Sequence, residues 1–186
     1  MEITRCGWAA REGLEQAYHD TVWGVPIHED KALFRMLMLE GQQAGLSWST
    51  ILKKMDALDK AYDGFDPAVL IGYGEDKIAE LMGNPGIIRN RLKIHAAIQN
   101  ARAYFELIEQ YGSLDAFLWG YVDGKPVMNH WERLDQVPAS TPLSDRISVD
   151  LKKLGFKFVG TTIVYAFLQA VGVVNDHLVA CAFRRA

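Results

Sequence analysis

The sequence predicts an all-α fold. Apolar residues recur at helical spacing along most of the 186 residues. Capping residues and glycines punctuate these stretches where helix ends are expected. No segment sustains the apolar/polar alternation that a half-buried strand needs.

In chain order, Asp30 to Ala44 reads as the first clear helix. Leu33, Leu37, Glu40 and Ala44 fall on one stripe, with Phe34 and Met38 beside it. Glu40 therefore lies on a face that should be buried. Gly45 ends this helix and Ser47 is a good N-cap for the next, Trp48 to about Tyr62. Asp66-Pro67 opens a short helix, with a cap residue followed by proline in the first turn. Glu75 to Met82 is another short helix, and Gly83-Asn84-Pro85-Gly86 is a turn. Ile87 to Tyr111 is the longest helical stretch, carrying Ile94, Ile98, Ala101, Phe105 and Ile108 at helical spacing. Gly112 stops it, and Ser113 caps Leu114 to Tyr121. Val122 to Pro142 is polar and proline-bearing and reads as an extended excursion or loop. Ser144 caps a helix through Leu154, Gly155 to Gly160 connects it to a helix from Thr161 to Val171, and a last helix holds Asp176 to about Phe183.

The bulk numbers fit one compact domain, at most two small lobes. One lobe would combine the chain termini with the hairpin around 151–170, and the other would hold 66–121. A chain of this length buries about 70% of the surface its unfolded form exposes. Hydrophobic content of 49% and charged content of 23% are ordinary for a folded soluble protein. A net charge of −3 argues against a non-specific basic wrap on nucleic acid, but leaves room for a local basic face. No apolar run is long enough for a membrane span, and Met1 to Trp8 carries no apolar core of a signal peptide. With two cysteines and no export signal, a reducing cytoplasm is the expected location, which disfavours a Cys6–Cys181 disulfide.

The two cysteines sit near opposite ends, and each has a histidine nearby: Cys6 with His19, and Cys181 with His177. Together they are a Cys2His2 set, the ligand chemistry of a structural zinc. The i, i+4 spacing of His177 and Cys181 would put both on one face of a helix. Twelve residues separate Cys6 from His19, too many for one helix turn, which implies a loop. Two buried free thiols and two ordinary histidines remain the alternative.

Three further segments carry candidate chemistry. Leu151 to Gln169 is a helix, a connection bracketed by Gly155 and Gly160, and a second helix beginning Thr161-Thr162. Free N–H groups at such a helix start attract phosphate, and Lys152, Lys153 and Lys157 add positive charge. The pattern resembles a helix-hairpin-helix that grips a DNA backbone; an ordinary αα-hairpin with solvated lysines is the plain reading. In Leu39 to Trp48, a carboxylate on an apolar stripe is costly unless paired. Glu40 beside Trp48 would suit a flat cationic ligand; alternatively it snorkels to water from the stripe edge. In Tyr18 to Pro26, with Trp8 upstream, aromatics stand next to a candidate metal ligand, either as a wall held by the metal or as plain core. Arg89, Arg91 and Lys93, like Lys53 and Lys54, read as solvated charges.

Arg5-Cys6-Gly7-Trp8, Tyr18-His19-Asp20, Trp23 to Pro26, Leu39 to Trp48, Gly86 to Arg89, Gly155 to Thr162 and Asn175-Asp176-His177 resemble, in order and over nearly the whole chain, the 3-methyladenine DNA glycosylase I family. This is a divergent branch of the helix-hairpin-helix DNA glycosylases. The resemblance implies a helix-hairpin-helix glycosylase fold and a structural zinc held by Cys6, His19, His177 and Cys181, joining the N- and C-terminal segments. It implies excision of 3-methyladenine from alkylated double-stranded DNA by hydrolysis of the N-glycosidic bond, with free 3-methyladenine as product. Methylation at N3 makes the base cationic, which suits Glu40 with the aromatic faces of Trp48, Tyr18 and Trp23. Gln43, Ala44, Gly45 and Leu46 match the loop that meets the gap left by a flipped nucleotide. Lys157, Gly160, Thr161 and Thr162 match the backbone-gripping hairpin.

Many relatives in the superfamily use an aspartate after the hairpin. Asp176 stands at a similar distance, but beside a zinc ligand and in a family described as lacking that residue, so its part in the chemistry stays open. No lysine occupies a matching nucleophile position, so a monofunctional enzyme without strand cleavage is expected; separately, the chain is expected to be a monomer. The chain departs from the family at Glu15, where many members carry a second tyrosine. Two rivals remain. A zinc-dependent hydrolase would need an open metal position, which four protein ligands do not leave. A non-catalytic, zinc-stabilised DNA-binding module on the same scaffold would release no base.

Overall fold

The computed structural model describes residues 3–184. Among these the expected all-α architecture is present: α1 (Leu14–Thr21), α2 (Asp30–Gln43), α3 (Trp48–Ala61), α4 (Pro67–Leu70), α5 (Glu75–Gly83), α6 (Arg91–Tyr111), α7 (Leu114–Gly120), α8 (Pro142–Lys153) and α9 (Thr161–Ala170). Most predicted boundaries hold because the caps do their expected work. Ser47 Oγ accepts from Thr50 N, Asp66 from Ala68 N, and Ser113 from Ala116 N. No helix among the described residues is long and apolar enough to cross a membrane.

Helix α2 is central, with Leu33, Phe34, Leu37 and Leu39 fully buried. It packs against α9, whose Val164, Phe167 and Leu168 are also buried, and α9 in turn packs on α8. On the other side α6 lies against α4, α5 and α7. A continuous apolar cluster runs from Tyr18 to Val174.

Four expectations need correction. Residues 14–21 form α1, so His19 sits on a helix and not in a loop. The longest helix begins at Arg91, where Asn90 caps it by accepting from Lys93 N. At α8 the cap is Thr141, and Ser144 is its reciprocal partner one turn in. The last predicted helix, Asp176 to Phe183, does not form: the segment is turns and irregular chain. Its backbone donors are taken elsewhere, His177 N by Asn175 Oδ1, Leu178 N by Cys6 Sγ, Val179 N by Trp131 O and Ala182 N by Thr4 O. The first three would be free at a helix start in any case, but Ala182 N is drawn to Thr4 O and away from Leu178 O, and Cys181 N turns to Leu178 O, so the i→i−4 ladder does not close.

The 122–142 excursion is tied down. Val127–Met128 (β1) pairs in parallel with Val174–Asn175 (β2), Val127 opposite Val174. A short 3-10 turn, Leu134–Gln136, follows. This places the excursion along the chain segment that leads to His177.

Candidate active site

Glu40 occupies the last turns of α2 and is 3% exposed. Burial pushes its carboxyl up to about 8. Among the described residues its Oε2 has no hydrogen-bond partner, and neither has Tyr18 Oη nor Trp48 Nε1, both buried atoms. The Tyr18 and Trp48 rings lie 5.2 Å apart at 51°. Burial, then the neighbouring Glu40 carboxylate, pushes the Tyr18 phenol well up.

These groups line a cavity of about 360 Å³, with Trp8, Glu15, Trp23, Gln43, Leu134, Val137, Ala166, Gln169 and Asp176 completing the wall. The four residues expected to recognise a base, Glu40, Trp48, Tyr18 and Trp23, therefore meet around one space. The volume falls in the range of pockets that hold one small ligand. Three unsatisfied polar atoms in an apolar cavity are costly unless a ligand meets them.

Asp176 is 2% exposed and lines the same cavity. It accepts from Asn129 Nδ2 at 2.7 Å, Trp131 Nε1 at 2.8 Å and Gln169 Nε2 at 2.7 Å, and also from Tyr165 Oη. Sequence reasoning missed these four donors, and it missed Leu134 and Val137. The donors come from α9 and from the excursion, and only the odd placement of Trp131 in a polar stretch hinted at them.

Of the residues expected to meet DNA, Gln43 reaches the cavity rim, while Gly45 and Leu46 form the exposed turn between α2 and α3, Leu46 being 40% exposed. The hairpin lies next to this turn: a Cβ on Gly41 would stand 3.4 Å from Phe158 Cβ. Gly155 bends the connection at φ +91, a region open mainly to glycine. Lys157 and Thr162 are exposed, and no side chain caps the N-terminus of α9 at Gly160. Thr161 differs from expectation in part, since its hydroxyl donates to Asp145 Oδ1 at 2.6 Å.

Lys93 is not a solvated charge. It is 6% exposed and donates to Gln42 O and Ala44 O, each at 2.7 Å. A cation there meets the free carbonyls and negative end of α2. Two turns further along α6, Asn100 donates to Lys157 O at 3.0 Å and accepts from Lys157 N at 2.7 Å. Lys54 likewise is bound, to Pro85 O and Gly86 O.

Cys6, His19, His177 and Cys181 converge although the C-terminal pair is not helical. Their ligating atoms all lie within 4.8 Å of one another, and all four residues are buried. His177 Nδ1 is 3.8 Å from Cys6 Sγ and 3.5 Å from Cys181 Sγ, and His19 Nε2 is 3.6 Å from Cys181 Sγ. Zn–S of about 2.3 Å and Zn–N of about 2.0–2.1 Å at the tetrahedral angle separate sulfur from nitrogen by roughly 3.5–3.6 Å. The donor set thus fits a tetrahedral metal.

The outward ring nitrogens also have partners: His19 Nδ1 lies 2.8 Å from Asp20 Oδ1, and His177 Nε2 3.2 Å from Trp23 O. Such contacts orient metal-binding imidazoles. The Arg5 guanidinium holds the Asp20 carboxyl below the usual range, while burial pushes the Cys6 thiol up to about 12. Trp23 packs edge-on to His177 at 4.6 Å, so the cluster abuts the cavity wall. Gly24, at φ +76, is required here, because a Cβ would come within 2.9 Å of His177 Nε2.

Comparisons with known proteins identify the family of the chain. Residues 8–185 match the model of the methyladenine glycosylase family. The chain is 48% identical over 179 residues to DNA-3-methyladenine glycosylase 1 of Escherichia coli K12, covering 96% of each. It superimposes on a crystal structure of 3-methyladenine DNA glycosylase I with a TM-score of 0.92 and 49% identity, covering 96% of this chain and 98% of that one. The Staphylococcus aureus 3-methyladenine DNA glycosylase I, whose structure describes 3-methyladenine recognition, gives a TM-score of 0.94 at 38% identity, over 98% and 97% of the two chains. By fold and by sequence, this chain belongs to the methyladenine glycosylase family.

Proposed function

We propose that this chain excises 3-methyladenine from alkylated double-stranded DNA by hydrolysing the N-glycosidic bond of a base flipped into the cavity. The observation that carries this reading is the buried Glu40 carboxyl, unpartnered at Oε2 and set beside the Tyr18 and Trp48 rings. A base inside a duplex is out of reach, so it must leave the stack. Once inside, the amino edge of the base donates to Glu40, and its positive ring faces the aromatic wall. The family membership and the relatives' names support the same substrate.

The cationic base is an activated leaving group, so no strong general acid is required. As the C1′–N9 bond breaks, its electron pair stays on N9 and positive charge develops at the sugar. A carboxylate near that centre stabilises it, and Asp176 at the cavity wall fits the role because four donors fix it in place. Water then attacks C1′. Leu46 and Gln43 fill the gap in the duplex, and Lys157, Gly160 and the α9 start hold the backbone through Thr161 and Thr162 N–H groups.

Cys6, His19, His177 and Cys181 would hold a structural zinc, which cross-links the first and last segments of the chain. With four protein ligands it keeps no open coordination position, and the reaction proceeds at the cavity. The sulfur–nitrogen spacings support this assignment.

The test is base release from methylated duplex DNA, resolved by base identity. Wild type should release 3-methyladenine and leave the strand uncut, and Glu40→Gln should release it much more slowly. No release by wild type would favour a DNA-binding module without catalysis, and strand nicking at the excised site would overturn the monofunctional assignment.

A further inference from the structure

Three carboxylates reach the cavity: Glu15, Glu40 and Asp176. Glu40 is buried in the wall it shares with Tyr18 and Trp48, and Asp176 is saturated with donors. Glu15 differs from both. It lies on α1 three residues before Tyr18, so the two side chains share a face. It is half-buried and makes no hydrogen bond or ion pair among the described residues. Arg5, a cation of the same terminal segment, is committed to Asp20 at 2.8 Å. Glu15 therefore sets an uncompensated negative charge on a wall otherwise built from Trp8, Tyr18 and Trp23. A cation entering the cavity would find this carboxylate without a competing partner.

The reaction itself changes the charge in that space. Joined to deoxyribose, 3-methyladenine is a cation. Cleavage leaves the bonding pair on N9, so the base departs neutral, while water adds to C1′ and releases a proton. We propose that Glu15 is a specificity-determining residue that makes the cavity favour the base in its cationic state, before cleavage, over the neutral base after it. The inference rests on the substrate proposed above. It gives the half-exposed carboxylate a task separate from Glu40, which reads the amino edge in either charge state. Cationic lesions are held, and the product is let go.

The test uses the full chain and two ligands: 3,9-dimethyladeninium, a permanent cation with a methyl in place of the sugar, and free 3-methyladenine at neutral pH. Binding is read from tryptophan fluorescence in wild type and in Glu15→Gln, which keeps the side chain's shape. A unit charge acting across roughly 6 Å in a half-wet site predicts about a fivefold to tenfold loss of affinity for the cation. Affinity for the neutral base should stay unchanged. Equal losses for both ligands would mean a packing role, no change in either would mean a solvated bystander, and both outcomes overturn the proposal. So does failure of wild type to bind either ligand. Excision is measured on the same preparations: a wild type that prefers the cation but excises nothing would refute the proposed function and leave Glu15 its role.

Discussion

Glu40→Gln should make the protein more stable as pH rises, while disabling it. The unfolded carboxyl titrates near its ordinary value of 4.5, and burial moves the folded one up to about 8. Between these values the folded chain binds more protons than the unfolded chain, so wild-type stability falls as pH increases. From the two values, the cost to folding stability of holding Glu40 neutral in the empty cavity, while the unfolded chain ionises it, is about 1 kcal/mol at about pH 5 and about 3 kcal/mol at about pH 7, approaching about 5 kcal/mol above about pH 8. Glutamine has the same shape and cannot ionise, so it escapes that cost. The difference in unfolding free energy between variant and wild type should therefore grow across this window in the variant's favour. Denaturant titrations of both proteins at several pH values measure it directly. Parallel curves at every pH would refute the reasoning, because they would mean that water or an unseen partner already solvates the carboxylate. A raised pKa is also what a cation would reverse: a positively charged base entering the cavity should draw Glu40 back to its ionised form.

Asp176→Asn should lower stability by about 2–4 kcal/mol, since it sets amide hydrogens against donors now satisfied by the carboxylate, and should strongly reduce base release; unfolding curves with wild-type midpoints would contradict this. Lys93→Met, which keeps the aliphatic stem but frees the carbonyls of Gln42 and Ala44, should cost about 2–3 kcal/mol in denaturant titration. It should also weaken duplex binding, read by fluorescence anisotropy, more than binding of free base. If the Cys2His2 cluster holds zinc, elemental analysis should give one metal per chain, and chelation should lower the melting temperature until zinc is restored. A melting curve indifferent to chelator in a protein shown to contain the metal would contradict a structural role.

Legibility in the sequence followed the range of the interactions involved. Helix ends were readable where a side chain caps its own first turn, as at Ser47, Asp66 and Ser113. α1 was missed because its N-cap is Gly13, which offers no side-chain bond. Glu40 was readable because helical spacing alone puts it on the buried stripe. The donors around Asp176 were not, since Asn129 and Trp131 lie more than forty positions away and arrive only through the parallel pairing of β1 with β2. Lys93 looked like part of a solvated basic run, and nothing local announces that its ammonium will be drawn to the end of α2. The helix predicted at 176–183 failed for a similar reason. Its i, i+4 spacing was real, but Ala182 N, which would close the helix, is taken by Thr4 O from the other end of the chain.

The four hydrogen bonds that the Lys93 and Asn100 side chains of α6 make with backbone groups, two at each, have a mechanical consequence. They fasten the α2–α3 turn and the hairpin to the same rod, separated along it by two helical turns, roughly 10 Å of rise. A shift of either loop alone toward a duplex would strain these bonds, because a packed helix does not stretch. On the proposed reading, the distance between the side chain that fills the gap and the amides that hold the backbone is a fixed gauge. A stiff, undamaged duplex does not match that gauge without bending, whereas a site already weakened by a damaged base yields more readily. The search for lesions would then be a test of how easily DNA deforms, made before any base enters the cavity.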